Sequence, residues 1–257
     1  LNILFQNNLD GITIMQKLMM IIMFILCFDV AYAQYYVRNT TVIDTPTAYT
    51  IARGTYQLSF LGYDNGGVEL KAFLGLHNNF YLGASFDCQS AIGKDDPDPN
   101  VPGVVGKIKF TDGWEMFPIS FAIGYDSFYI GEEGKTYNSK NDLDQVIYGP
   151  YFVITKPIYL FDDEQHIHFG MRMPTQPDYV PEDTSYFLSF DIPLGDMFVL
   201  KAEMERVYYN FSNPEDWLYN VGMRYSYMQR LGIEFDVLFQ KHENPNRIIR
   251  IEYINEF

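Results

Sequence analysis

The sequence predicts an all-β chain closed into a transmembrane, antiparallel, up-and-down β-barrel of about twelve strands. Three observations predict it. Apolar and polar residues alternate at a period of two almost throughout residues 53–257, with no convincing 3.6-residue stripe. After residue 33 no segment stays apolar for the roughly 18 to 20 residues of a spanning helix, so a membrane chain must satisfy its backbone between strands. Long connections largely alternate with short ones, as they do when the two ends of a barrel face different compartments.

In chain order the strands fall near 55–62, 67–77, 79–90, 103–110, 118–130 and 146–155. The remaining six fall near 165–173, 185–192, 197–209, 217–227, 231–240 and 247–257. The second sets Val68, Leu70, Ala72, Leu74 and Leu76 against Glu69, Lys71 and His77. The seventh sets Ile167, Phe169, Met171 and Met173 against His166, His168 and Arg172, and the ninth sets Phe198, Leu200, Ala202 and Met204 against Lys201, Glu203 and Glu205. Alternation is as plain in the tenth (Tyr219, Val221, Met223) and the eleventh (Ile233, Phe235, Val237, Phe239). The sixth contains Gly149 and Pro150 and is the weakest by pattern. Most match the roughly 9 to 11 residues of a tilted spanning strand. Long connections are expected at 91–102, 131–145, 174–184, 210–216 and 241–246, after odd strands. Short ones are expected at 77–79, 193–196 and 228–230, after even strands, where 111–117 and 156–164 run longer.

Composition narrows the function. The 257 residues carry a net charge of −15, which argues against a nucleic-acid partner because phosphates need a basic face. A hydrophobic content of 47% excludes disorder. The 21 Tyr and 21 Phe suit a wall that faces lipid and carries aromatic belts.

The front of the chain reads as an address. Lys17 precedes the apolar run Leu18 to Phe28, and Ala31-Tyr32-Ala33 is an A-x-A cleavage site, so residues 15–33 are expected to be a cleaved signal peptide. Residues 1–14 lack this logic and read as upstream translation from a misplaced start, with Met15 as the initiator. Two acids and one base leave with residues 1–33, so −15 becomes −14. Cys27 leaves too, and Cys88 alone cannot form an internal disulfide. Residues 34–52, with Pro46 among threonines, form a short extended segment that is either a small luminal plug or a tether. Residues 53–257 form the barrel.

A soluble β-sandwich or lipocalin-like barrel would show the same alternation. The end of the chain favours the membrane. Ile249, Ile251, Tyr253 and Phe257, interrupted by Asn255, resemble the terminal signal of bacterial outer-membrane β-barrels, and residues 34–257 are similar to that broad class without matching one functional family. The resemblance implies an outer-membrane location in a Gram-negative-type bacterium, surrounding membrane lipid, and recognition of the last strand by barrel-assembly machinery.

The polar strand faces supply the candidate lumen. Its acids are Glu69, Asp87, Asp126, Glu203, Glu205, Glu234, Asp236 and Glu252, with Asp191 and Glu256 on the same faces. Its bases are Lys71, Lys107, Lys109, Arg172, Lys201, Arg224 and Arg250, joined by His166 and His168. Two readings stay open: a narrow, weakly cation-preferring porin-like conduit for small solutes, or a closed structural or envelope-assembly barrel acting through its loops or N-terminal segment. An outer-membrane hydrolase is a third, but Ser127 and the histidines sit in no recognisable catalytic motif, so no enzyme is expected. Counted with residues 62–66, the long connections hold fourteen acids against four bases, an acidic rim that would repel anions. Its densest stretch, Asp95, Asp96 and Asp98, offers oxygen ligands for Ca²⁺ but lacks the glycine and spaced glutamate of a dedicated calcium loop.

Overall fold

The computed structural model describes residues 38–94, 96–99, 102–113, 118–127, 149–160, 163–173, 184–207, 216–239 and 245–257. The strands are β1 (Thr55–Tyr63), β2 (Gly67–His77), β3 (Phe80–Gln89), β4 (Asp98–Pro99), β5 (Gly103–Thr111), β6 (Ser120–Asp126) and β7 (Gly149–Leu160). They continue with β8 (Asp163–Arg172), β9 (Ser185–Leu194), β10 (Phe198–Val207), β11 (Asp216–Tyr227), β12 (Leu231–Phe239) and β13 (Asn246–Glu256). Each long strand pairs antiparallel with its neighbours in sequence, except that the two-residue β4 folds onto the end of β3 and leaves β5 as the next wall strand. The β1–β13 pairing, from Thr55↔Glu256 to Gly62↔Ile249, closes the ring at twelve long strands. Closure leaves the wall without a free edge.

The two faces are inverted relative to a water-soluble barrel. Apolar residues point outward and stay exposed: Leu58 is 49% exposed, Leu70 46%, Val221 46%, Phe235 48% and Ile251 41%. Charged residues of the same strands point inward and are buried, among them Glu69, Glu234 and Asp236. A soluble protein does not leave so large an apolar surface open, so this wall is built for lipid. Inside, large side chains lie over glycines. A Cβ on Gly124 would meet the Tyr151 ring at 2.3 Å, and one on Gly170 would meet the Phe187 ring at the same distance.

Two expectations change. The connection expected at 156–164 is largely strand: β7 runs to Leu160, which pairs with Asp163 at the start of β8. Pro157 is tolerated because β6 ends its pairing at Ser120↔Thr155, so β7 beyond that point has β8 on one side only. Glu256 does not join the lumen; it is exposed at the end of β13, where the inward alternation stops.

Replacing Leu70 by Arg on the outer wall is expected to lower folding stability in lipid vesicles by about 2–4 kcal/mol, while Leu70→Phe is close to neutral. Urea unfolding of the vesicle-inserted protein measures the difference.

Candidate functional site: a lumen occupied by the N-terminal segment

Residues 38–52 run inside the barrel as a hairpin. Thr41 bridges Pro46, the Val42 amide donates to the Thr45 carbonyl at 2.9 Å, and the Thr47 amide donates to the Thr40 carbonyl at 3.1 Å. The tip at Val42–Thr45 lies deep in the lumen. Both legs return to the end of the barrel that carries the short turns. Arg38 pairs there with Glu164 at 3.3 Å, and Thr50 Oγ1 donates to the Asn78 carbonyl at 2.7 Å. Proline and the threonines suit this path, because Pro46 has no amide N–H that would need an acceptor and the hydroxyls find local or wall acceptors.

A main chain buried away from water must find a partner for each amide and carbonyl. At the tip the wall provides both kinds. The carboxylate of Glu203 on β10 accepts from the amides of Ile43, Asp44 and Thr45 at 3.0–3.1 Å and from Thr45 Oγ1 at 2.8 Å. Three consecutive successive amides aimed at one carboxylate form an anion-holding concavity. The carbonyls of the same turn go to three cations. Lys201 Nζ donates to Val42, Arg250 Nη2 donates to Ile43 at 2.6 Å, and Arg172 Nη2 donates to Asp44 at 2.6 Å. Lys107 Nζ joins the two legs, donating to the Thr40 carbonyl at 2.7 Å and the Tyr49 carbonyl at 3.1 Å.

Neighbouring wall charges hold these side chains in place. Glu234 pairs with both Lys201 and Arg250 and lies 3.7 Å from Arg224, which in turn pairs with Glu252. Arg172 sits 3.4 Å from Glu205, and Asn220 Nδ2 donates to Glu203 at 2.8 Å. Lys71 bridges Glu69 at 2.7 Å and Asp126 at 3.2 Å. Asp87 accepts from the Tyr63 hydroxyl at 2.8 Å, and Lys109 pairs with Asp112 near the short-turn end. Asp236 is buried over Gly222, whose missing side chain makes the room. Apart from Glu256, the charged residues expected on the inner face lie on it, in several ionic clusters.

His166 and His168 act on the returning leg. His166 lies between Glu164 at 2.8 Å and Asp191 at 3.0 Å, and His168 Nε2 donates to Asp191 at 2.9 Å. His168 Nδ1 faces Thr155 Oγ1 at 2.8 Å, and that hydroxyl accepts from the Ala48 amide. Tyr49 stands edge-on to both imidazoles, with Arg38 stacked 4.9 Å from its ring centre. The pair belongs to a hydrogen-bonded clamp. Among the described residues no group of three or more His, Cys, Asp or Glu side chains is placed to hold a metal ion. Asp96 and Asp98 are exposed, Asp98 on β4, and Asp95 lies outside the described residues. Ile249, Ile251 and Tyr253 face outward on β13, and Phe257 is exposed beyond it.

Apolar contacts complete the fit. Val42 and Ile43 pack with the inward-facing Leu61, Leu238 and Ile248. Ala48 packs with Ala122, Tyr151, Val153 and Phe187, and Ile51 with Phe73, Tyr81 and Val105. Sequence reasoning missed these wall positions because it treated the inner face as polar. The signal was available: Leu61 continues the polar parity of Gln57 and Ser59, and Ile248 stands between Asn246 and Arg250. Beside the tip, Asp44, Glu69, Lys71, Asp126 and Glu252 border a cavity of about 30 Å³, room for a water or two.

No family model matches the chain, and no curated protein matches it. Among solved structures, the KdgM porin superposes with a TM-score of 0.50 at 13% identity, over 79% of this chain and 99% of the porin. The KdgM porin in complex with disordered oligogalacturonate gives 0.49 at 12% identity, over 79% and 99%. The Acinetobacter baumannii outer membrane protein Omp33 gives 0.44 at 9% identity, over 79% and 97%. At these identities the likeness concerns the fold, and the fold is that of a bacterial outer-membrane β-barrel.

Glu203→Ala leaves three buried amides and a hydroxyl without their acceptor. Docking of the segment is expected to weaken by at least about 3 kcal/mol, seen as a roughly hundredfold loss of hydrogen-exchange protection at residues 43–45. The tip also predicts a pH dependence. Burial pushes the Asp44 carboxyl well above its usual range; Arg172 opposes this, and Glu203 and Glu205 reinforce it. A carboxyl that holds its proton more tightly when docked favours docking below the ordinary carboxylate range, and docking weakens as pH rises above it. Chymotrypsin cleavage at Tyr49, divided at each pH by its rate on a free peptide of the same residues, is therefore expected to accelerate between about pH 4 and pH 7. Asp44→Asn flattens that profile.

Proposed function

We propose that the protein is an outer-membrane conduit for small solutes, gated by its own residues 38–52, exported by the signal peptide and not an enzyme. The observation that carries the reading is the way the inner wall spends its charges. Lys107, Arg172, Lys201, Glu203 and Arg250 all bind the main chain of a segment that leads into the wall at β1. A barrel closed for structure alone would fill its lumen with side chains of its own wall. Here withdrawal of the segment exposes a passage lined by ionised groups that water solvates readily. With the segment docked, the space beside its tip admits little more than water. The fold shared with the KdgM porin supports a channel.

Planar-bilayer recording tests this on the full chain. The unaltered protein is expected to be closed for most of the record. Ile43→Asp, which places a carboxylate in the apolar pocket of the tip, is expected to release the segment and give long-lived conductance steps. A folded Ile43→Asp protein whose Tyr49 has become accessible to chymotrypsin, yet which shows no steps above background, would overturn the conduit.

A further inference from the structure

We infer that the lumen is a peptide-binding site, filled in cis by residues 38–51, and that short peptides are the class of solute the barrel recognises. This rests on the reading that the segment can be displaced, but not on the passage of ions.

The wall recognises three separate features of a peptide. One carboxylate, Glu203, reads three consecutive amides. Cations from three different strands, Lys201 on β10, Arg250 on β13 and Arg172 on β8, read three consecutive carbonyls. An inward-facing apolar pocket of Leu61, Leu238 and Ile248 takes two adjacent aliphatic side chains. None of these features depends on the segment being part of the same chain. Apolar residues on the inner wall would be out of place in a passage for ions alone. They fit a passage that receives side chains. The ligand chemistry is a tight main-chain turn led by two β-branched aliphatic residues and closed by Thr-Pro, as in Val42-Ile43-Asp44-Thr45-Pro46. Selectivity comes from the pocket, since every peptide offers amides and carbonyls but few offer adjacent aliphatics at a turn. The cis segment competes at the high effective concentration of a tethered ligand, so a free peptide meets the site only after the segment has left.

The test uses the full chain with Ile43→Asp and, as a second variant, Val42→Asp; both leave every strand unaltered. Chymotrypsin cleavage at Tyr49 reports release of the segment. A fluorescent peptide of residues 38–51, RNTTVIDTPTAYTI, is then titrated by anisotropy against each variant and against the unaltered protein. Saturable binding to a released variant is expected, with a scrambled peptide at least about tenfold weaker and the unaltered protein not binding at the same concentrations. Adding Glu203→Gln is expected to weaken binding about tenfold. Equal binding of the scrambled peptide, or no binding to a folded and released variant, would sink the inference. Conductance of the same variants separates the two readings. Peptide binding without conductance overturns only the conduit, and conductance without peptide binding overturns only the peptide site. If neither variant frees the segment, it is a fixed part of the barrel and both readings fall.

Discussion

A peptide main chain cannot lie in a dry interior with its amides and carbonyls unpartnered, and the inner architecture of this barrel follows from that constraint. Glu203 and the cations around it answer it at the tip, and Lys107 answers it where the two legs come together. The dependence is mutual. Lys107 is buried against the rings of Tyr81 and Tyr151, and the hydrogen-bond acceptors it reaches are carbonyls of the segment. A buried ion without partners is costly, so wall and segment each complete the other's polar groups. The same ions are easily solvated once water enters, which makes the occupied and the vacated lumen both physically reasonable states.

The period of two serves both sides of the wall. Outward positions carry a continuous aliphatic and aromatic surface, and inward positions carry ions interrupted by three apolar patches. Each patch receives an apolar residue of the segment, and Glu203, Lys107, Arg172, Lys201 and Arg250 take polar atoms of the same stretch. Glu234 shows how the fit is maintained at a distance: by pairing with Lys201 and Arg250 it sets where both cations meet the turn. The lining therefore has a shape and a charge order matched to one occupant.

The hairpin also gives the lumen a direction. Its legs lie at the short-turn end, held by Arg38 with Glu164, by Tyr49 with the two histidines, and by Thr50 with Asn78. Gly75 lets the returning leg approach β2, since a Cβ there would stand 1.9 Å from the Ala52 carbonyl oxygen. Withdrawal toward that end requires only release of the clamp and the tip, because the chain is joined to the wall there through Thr55. Asp64 and Asp98, exposed where β1 meets β2 and where β4 folds onto β3, lie at the opposite end from this clamp.

Most of the wall was legible in the sequence because alternation is a local property and strand pairing follows from it. The pattern Glu69, Lys71 against Leu70, Ala72 already says which side each residue faces. The stretch 156–164 reads as a connection; whether a proline such as Pro157 can sit in strand depends on a second neighbour strand, and only the registry of β6 against β7 decides that. Leu61, Leu238 and Ile248 stood in polar parity with no local reason. Their reason is Val42 and Ile43, brought to them by the turn. By itself the sequence determined a membrane wall with an ionic inner face, because side-chain polarity at a period of two is written residue by residue. Only the tertiary structure decided that residues 38–52 occupy the lumen, because that placement rests on hydrogen bonds between positions up to 207 residues apart, which no local pattern encodes.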